Sequence, residues 1–370
     1  MGGRQTRVGD RARIQAALLL ALHMSGCGFT DDALPPIVWE GEHFFYATNI
    51  ERPLCASTLE KQDELTALLQ GILGAPEMGR KYVYYEMTEE EFATGPCPEA
   101  GGCYNPSRGI FSPAIFNIHE IVHAVNDLSK GLSHSFFSEG VAEVFRDRYG
   151  GVREIQHSVS EGLAASSKDF PYDMYGRAGH FAAYLFDTFG EDTVVELLAH
   201  TRRDQSADEL HRALETATGL PYAQLLADYA EYPECDNLSY RWPVLECASP
   251  PSPWTGCAWE TTVTVGCESD GVIGPRSGEI WTSRTVEVPN HGVYYVTVLG
   301  DPDASAFVEF ARCDVGCSSS GYFRFEPGDV MKEVVLDSGL FHVTLVRGED
   351  APGELGFRIA RGVHCGETPP

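Results

Sequence analysis

The chain has 370 residues, of which 43% are hydrophobic and 22% charged, with 38 Gly and 22 Pro. That composition excludes intrinsic disorder, coiled coil and collagen-like repeats, and the length predicts two domains with apolar material for real cores. A formal net charge of −27 argues against nucleic acid as a partner and against electrostatic attraction to anionic lipid.

Residues 1–27 read as a targeting segment. Arg4, Arg7, Arg11 and Arg13 precede a short apolar run over 16–22, which is too short to span a bilayer. The run ends in Met24-Ser25-Gly26-Cys27, which resembles the lipobox of bacterial lipoproteins, with Met24 where that pattern usually has Leu. The resemblance implies that Cys27 is lipidated and becomes the mature N-terminus, so that a lipid anchor is the only membrane attachment. An ordinary secretory peptide cleaved nearby is the alternative. Both predict export, to the cell envelope (periplasm-facing or cell surface) or into the medium. Removing four Arg and one Asp from 27 basic and 54 acidic residues leaves 23 and 53. Setting Cys27 aside leaves ten of the 11 cysteines, and an even set in an exported protein reads as disulfides. Cys97/Cys103 and Cys313/Cys317 are the short-range candidates. Three cysteines lie before residue 104 and seven after 234, so full pairing needs at least one bridge between the groups.

After the targeting segment, residues 37–49 are β-branched and aromatic and predict a strand. Leu59, Leu65, Leu68, Leu69 and Ile72 have helical spacing over 57–73, and 81–86 predicts a second strand. Residues 94–109 read as a cysteine-pinned loop, and 109–112 as a short edge strand. Helices are predicted over 114–128, 135–148, 174–189, 191–202, 206–217 and 221–230. Pro233, Pro243, Pro250, Pro251 and Pro253 mark a linker. Beyond residue 256, runs such as 260–265, 292–298, 306–310 and 341–346 alternate with period two, which predicts an antiparallel β-sandwich. The fold class is therefore α+β. The expected division is 1–27 signal peptide, 28–235 catalytic domain, 236–255 Pro/Cys-rich linker and 256–370 β-sandwich.

The sharpest chemical feature is His119-Glu120-Ile121-Val122-His123. Residues four apart share a helix face, so His119 and His123 can present imidazole nitrogens to one ion. Glu120 then lies beside the open coordination position, as a base for a water activated there. A hydrolytic zinc wants a third protein ligand. The run from Phe136 to Phe145, with Ser138-Glu139-Gly140-Val141-Ala142-Glu143 inside it, predicts a second amphipathic helix that a turn around Gly131 folds back, which offers Glu139 as that ligand. Glu143, one turn on, can hydrogen-bond a ligand histidine. His134 and Asp127 are the other candidates. A metzincin pattern is excluded by Asn126 and Ser129, where it needs Gly and His.

The run from His119 to Phe145 resembles the gluzincin metallopeptidases, the clan of thermolysin and the zinc aminopeptidases. Fifteen residues separate His123 from Glu139, a slightly shorter connection than in the aminopeptidases. The resemblance implies a thermolysin-like catalytic domain of small sheet plus helical subdomain. It also implies zinc-dependent peptide-bond hydrolysis with Zn2+ on His119, His123 and Glu139, Glu120 as general base, and Glu143 orienting a ligand. It continues into Tyr172-Asp173-Met174-Tyr175-Gly176-Arg177-Ala178-Gly179-His180, where it implies a tyrosine that stabilises the oxyanion. Tyr175 is the first choice for that role, with Tyr172 and His180 as rivals. No exopeptidase motif precedes His119, so an endopeptidase acting on extracytoplasmic peptide or protein is expected. The C-terminal sandwich resembles the small β-domains of secreted bacterial peptidases. Asp301, Asp303, Glu309 and Asp314 are candidate calcium ligands within it. The alternative function is a non-catalytic surface binding lipoprotein on a peptidase-like scaffold.

Overall fold

The computed structural model describes residues 34–362 apart from 76–78, 96, 98–100, 303–304 and 318–320. The 1–27 segment with Cys27, together with Asp303 and Cys365, therefore lies outside the described residues. The chain is α+β, and its first sheet opens as a hairpin, β1 (Ile37–Glu40) and β2 (Phe44–Thr48), where the sequence predicts one strand. The turn is made by Asp63, whose carboxylate accepts the backbone N–H groups of Glu42 and His43, each at 2.9 Å. After α1 (Thr58–Ile72) comes β3 (Tyr82–Glu86), parallel to β2. The capping box of Thr88 and Glu91 starts an unpredicted short helix, α2 (Glu89–Ala93). β4 (Cys103–Asn105) and β5 (Gly109–Ser112) complete the sheet in the order β1-β2-β3-β5-β4. Residues 109–112, expected at the edge, thus lie one strand in. The reversal from Asn105 to Gly109 folds β4 onto their outer side, and all four are buried.

Helices α3 (Ile118–Lys130) and α4 (Ser135–Phe145) follow. α3 begins four residues later than its apolar spacing predicts because Phe116 has φ +58°, which no helix accommodates. Then come α5 (Val159–Ala164), α6 (Tyr175–Phe189), α7 (Glu191–His200), α8 (Ala207–Thr218), α9 (Tyr222–Ala230) and a short α10 (Asn237–Tyr240). Their apolar faces close one core with α1, α3 and the sheet, and Leu65, Ile121, Val125, Phe136, Phe181, Leu198 and Leu210 are among its buried members.

The C-terminal strands are β6 (Ala258–Val265), β7 (Ile273–Arg276), β8 (Glu279–Val288), β9 (Gly292–Leu299), β10 (Ala306–Arg312), β11 (Tyr322–Phe325), β12 (Lys332–Leu336), β13 (Gly339–Gly348) and β14 (Gly353–Ala360). They form two antiparallel sheets, ordered β11-β10-β13-β8-β7 and β12-β9-β14-β6, around Trp259, Phe310, Phe341 and Phe357. The outer face of the first sheet is also covered. Ile273, Trp281, Phe307 and Val346 belong to the core of the helical half, which is why β13 is buried on both faces from Phe341 onward.

Disulfides join the two halves. Cys55 pairs with Cys267, Cys235 with Cys317 and Cys247 with Cys313, while Cys97 pairs locally with Cys103. The expected Cys313/Cys317 bridge is therefore corrected. The end of β10 faces the 236–255 segment, which brings Cys235 and Cys247 to these two cysteines instead. Cys257 is disulfide-bonded as well. That 236–255 segment is packed, with Trp242 stacked on Phe145 at 5.4 Å and Tyr240 buried. Among the described residues, no helix is long and apolar enough to cross a membrane. Four bridges of this kind belong to an oxidising, extracytoplasmic compartment.

Buried charge reinforces the junction. Glu309, expected as a calcium ligand, instead meets Arg148 at 3.3 Å, Arg241 at 3.6 Å and the Tyr322 hydroxyl at 2.8 Å, and Asp314 pairs with Arg312. With its oxygens so engaged, Glu309 is unavailable to a cation. Arg276, on β7, donates from one guanidinium nitrogen to both the Phe116 carbonyl and the Asp147 carboxylate. A sandwich residue thereby ties the start of α3 to the end of α4.

Candidate metal centre

α3 and α4 present the site. Ring nitrogens of both His119 and His123 reach α4 because the two residues are one turn apart, while Ile121, Val122 and Val125 turn into the core. Gly131 (φ +81°) ends α3, and His134 caps α4 by accepting the Phe136 N–H at 3.3 Å. The two helices then lie together with three donor atoms in contact. His119 Nε2 and His123 Nε2 are 3.1 Å apart, and Glu139 Oε2 is 3.1 Å from each. Among the described residues this is the one group of three His, Cys, Asp or Glu side chains whose donor atoms converge.

The triangle tests the fit of a metal. Ligands about 2.0–2.1 Å from a tetrahedral ion stand roughly 3.3 Å apart, which is close to the observed edges. The outer nitrogens fix the tautomers. His119 Nδ1 donates to Glu143 at 3.3 Å, and His123 Nδ1 donates to Ser138 Oγ at 3.0 Å, so both Nε2 lone pairs face the same point as the carboxylate. Such an arrangement demands positive charge at its centre. With no metal there, burial opposes a charge on His119, but the Glu139 and Glu143 carboxylates outweigh it and raise its pKa to about 10. Burial also works against ionised Glu139, yet His123 and His119 hold it well below the usual carboxylate range.

Glu143 has no exposed surface and is clasped by Arg146 at 2.7 Å and by Arg153 at 3.4 Å. Burial pushes its pKa up, and the hydrogen bond and charge of His119, with both arginines, bring it down to about 2. It is a fixed anion behind the ligand. Glu120 behaves oppositely. It is 8% exposed, and burial raises its pKa despite the neighbouring histidines, while a Tyr104 backbone N–H reaches its carboxylate. A carboxylate pushed upward beside two candidate ligands can accept a proton near neutral pH more readily than an ordinary one.

Two glycines set how close the helices come. A Cβ on Gly140 would stand 2.5 Å from the Ala178 carbonyl oxygen, and one on Gly179 would stand 2.8 Å from Glu143 Cβ. Gly140 of the Ser-Glu-Gly run and the Ala178-Gly179 pair are therefore the surfaces on which α4 and α6 touch. Their approach puts Tyr175, the first residue of α6, parallel to the His119 ring with centroids 5.9 Å apart. Burial, then the charges of Glu139 and Glu120, raise the Tyr175 hydroxyl. It remains a donor. Of its rivals, Tyr172 is 67% exposed under Arg153. His180 is buried away from the ligands, accepting from the Tyr229 hydroxyl at 2.7 Å and donating to the Pro233 carbonyl at 3.0 Å. His134 is likewise occupied as a cap, and Asp127 accepts the Tyr104 hydroxyl at 2.7 Å.

A cleft of about 220 Å³ opens over the ligands, walled by Gly102, Cys103, Tyr104, Asp127, Tyr175 and Arg203 among others. The Cys97–Cys103 bridge pins its rim. Ser138, Arg153 and Arg203 are the site residues that sequence reasoning missed. Asking which acceptor each histidine Nδ1 would find could have found Ser138, adjacent to Glu139. The arginines carry no local signal.

No family model matches the chain, and no curated protein matches it. Among solved structures, it is similar to the pre-peptidase C-terminal domain of collagenase from Bacillus anthracis. That likeness has 9% identity and a TM-score of 0.23, covering 30% of this chain and 97% of that one. It is also similar to the periplasmic g-type lysozyme inhibitor PliG of Aeromonas hydrophila, with 12% identity and a TM-score of 0.21, covering 30% and 92%. The isomaltodextranase of Arthrobacter globiformis gives 16% identity and a TM-score of 0.18, covering 29% and 24%. Likenesses at this level identify neither fold nor activity.

Proposed function

We propose that the chain is a zinc-dependent peptidase of gluzincin type, with a thermolysin-like arrangement of sheet and helices and an extracytoplasmic location, anchored through Cys27. The observation that carries the reading is the convergence of His119 Nε2, His123 Nε2 and Glu139 Oε2 at 3.1 Å beside buried Glu120. Two imidazoles and a carboxylate are a zinc donor set, and three ligands facing a cleft suit catalysis, whereas a structural site closes with four. Zinc bound there would supply Lewis acidity, polarising a carbonyl and easing deprotonation of water.

The chain's own residues would do the rest. Glu120 would take the proton from the attacking water and return it to the leaving amine, a task its raised pKa favours. Tyr175 Oη would donate to the oxygen on which charge develops. Glu143 and Ser138 would hold the imidazoles in orientation. The edge strand β4, on the cleft wall and paired among the described residues with β5 alone, supports an extended peptide as substrate and hence an endopeptidase. The pure scaffold reading gives no reason for a buried carboxylate beside the histidines. Glu120→Gln tests the mechanism. It should keep one zinc per chain and lose at least about a thousandfold in peptide hydrolysis. Retained hydrolysis would remove Glu120 from the chemistry.

A further inference from the structure

The ligand cleft does not end at the histidines. Arg203 stands on its wall and also on the wall of a neighbouring depression of about 410 Å³ that begins at the N-terminal end of α4. That second wall carries Ser166, Lys168, Asp204 and Gln205 as well. Its charge is unusual for this molecule. The chain carries a net −27, and many of its cations are engaged by carboxylates. Arg146 and Arg153 serve Glu143, Arg148 and Arg241 serve Glu309, Lys81 serves Glu40, and Arg276 serves Asp147. Lys168 and Arg203 are both exposed, and among the described residues neither side chain has an ion-pair or hydrogen-bond partner. Asp204 is the one acidic side chain on the same wall, so two cations face one anion there.

Two free cations on one concave wall repel each other and gain from an anion shared between them. A guanidinium presents a planar fork that matches a carboxylate, and an ammonium adds a point charge. In a strongly acidic protein, long-range repulsion works against anionic substrates, so acceptance of one depends on local cations such as these. We propose that this depression is the subsite for a substrate carboxylate, so that the chain favours peptides with an acidic side chain or a free C-terminal carboxylate on the Arg203 side of the scissile bond. This rests on the peptidase reading above and adds to it the class of substrate.

The test uses internally quenched peptides in which a single Glu or Gln is stepped along an otherwise neutral sequence. A shorter pair ends in a free carboxylate or an amide. The zinc-loaded wild type should cleave one member of a matched pair about tenfold faster in kcat/KM, the size of one charge-assisted hydrogen bond. The pair that responds identifies the source of the carboxylate. In the Lys168→Gln/Arg203→Gln double variant that ratio should fall to about twofold or less. No preference at any position, or a preference that survives the double variant, overturns the subsite. A binding arm separates it from the chemistry. Zinc-loaded Glu120→Gln should bind the favoured peptide with the same preference by fluorescence anisotropy. Preferential binding without wild-type cleavage would refute the peptidase reading and keep the subsite, and neither binding nor cleavage would overturn both.

Discussion

Gly140→Ala is the perturbation that most sharply connects packing to the metal centre. The new Cβ would stand 2.5 Å from the Ala178 carbonyl oxygen and 3.2 Å from Ala182 Cβ. Ordinary contact begins near 3.4 Å, so α4 and α6 must part by about 0.9 Å. The strain of such overpacking is about 1–3 kcal/mol, against a gain of about 1 kcal/mol from replacing a helical glycine. The net loss of stability is therefore at most about 2 kcal/mol, and the variant should fold. Its metal affinity should change much more. Gly140 lies between Glu139 and Glu143, and displacing both on the scale of a ligand bond should weaken zinc binding about 10- to 100-fold. Competition against a chromophoric chelator reads the affinity, and urea denaturation reads the stability. Gly71→Ala is the control, since Gly71 is in α1 with nothing within 4 Å of a new Cβ. It should stabilise by up to about 1 kcal/mol and leave zinc binding alone. Wild-type zinc affinity in Gly140→Ala, or equal losses in both variants, would show that the α4–α6 contact does not position the site.

Arg276 links the sandwich to the starts and ends of the ligand helices. Arg276→Gln should weaken zinc binding by about tenfold in the chelator assay, and Arg276→Lys should restore part of it. Equal affinity in all three would show that the sandwich does not position the site. Acid should expose the buried His134. Burial holds its folded pKa down at about 4, whereas the unfolded chain takes up the proton near 6.5. The unfolded state thus binds more protons between those values, and stability is lost as pH falls through them. From pH 7 to 5 the wild type should lose about 1–2 kcal/mol more than His134→Asn in urea denaturation. An identical pH dependence would show that His134 is not held neutral.

The converging triad was legible because its information is local. His119, Glu120 and His123 lie within five residues, and Glu139 lies in the next helix, so helical periodicity shows which side chains share a face. The roles of Gly140 and Gly179 were visible only as small residues, since their meaning depends on which helix each one meets. Ser138 lies in α4 beside Glu139, but its role depends on the histidine it meets, Arg153 reaches the site from a loop, and Arg276 arrives from more than a hundred residues away. The alternation of the C-terminal runs predicted a sandwich. It did not reveal that the Trp281 face packs on the helical half, because a strand buried on both sides loses its contrast. The even set of cysteines predicted disulfides, but not which residues pair, and the nearness of Cys313 to Cys317 misled. Residues 109–112 read as an edge because β4, three residues long, is too brief for any periodicity to register.

On the proposed reading, two imidazoles and Glu139 hold one metal ion. Metal analysis of purified chain, loaded with zinc and dialysed, addresses it directly, alongside Glu139→Ala carried through the same steps. One zinc per wild-type chain, falling below about a tenth in Glu139→Ala with the fold intact by circular dichroism, is the result expected. A wild type that retains no zinc, or a variant that retains as much, would contradict the account.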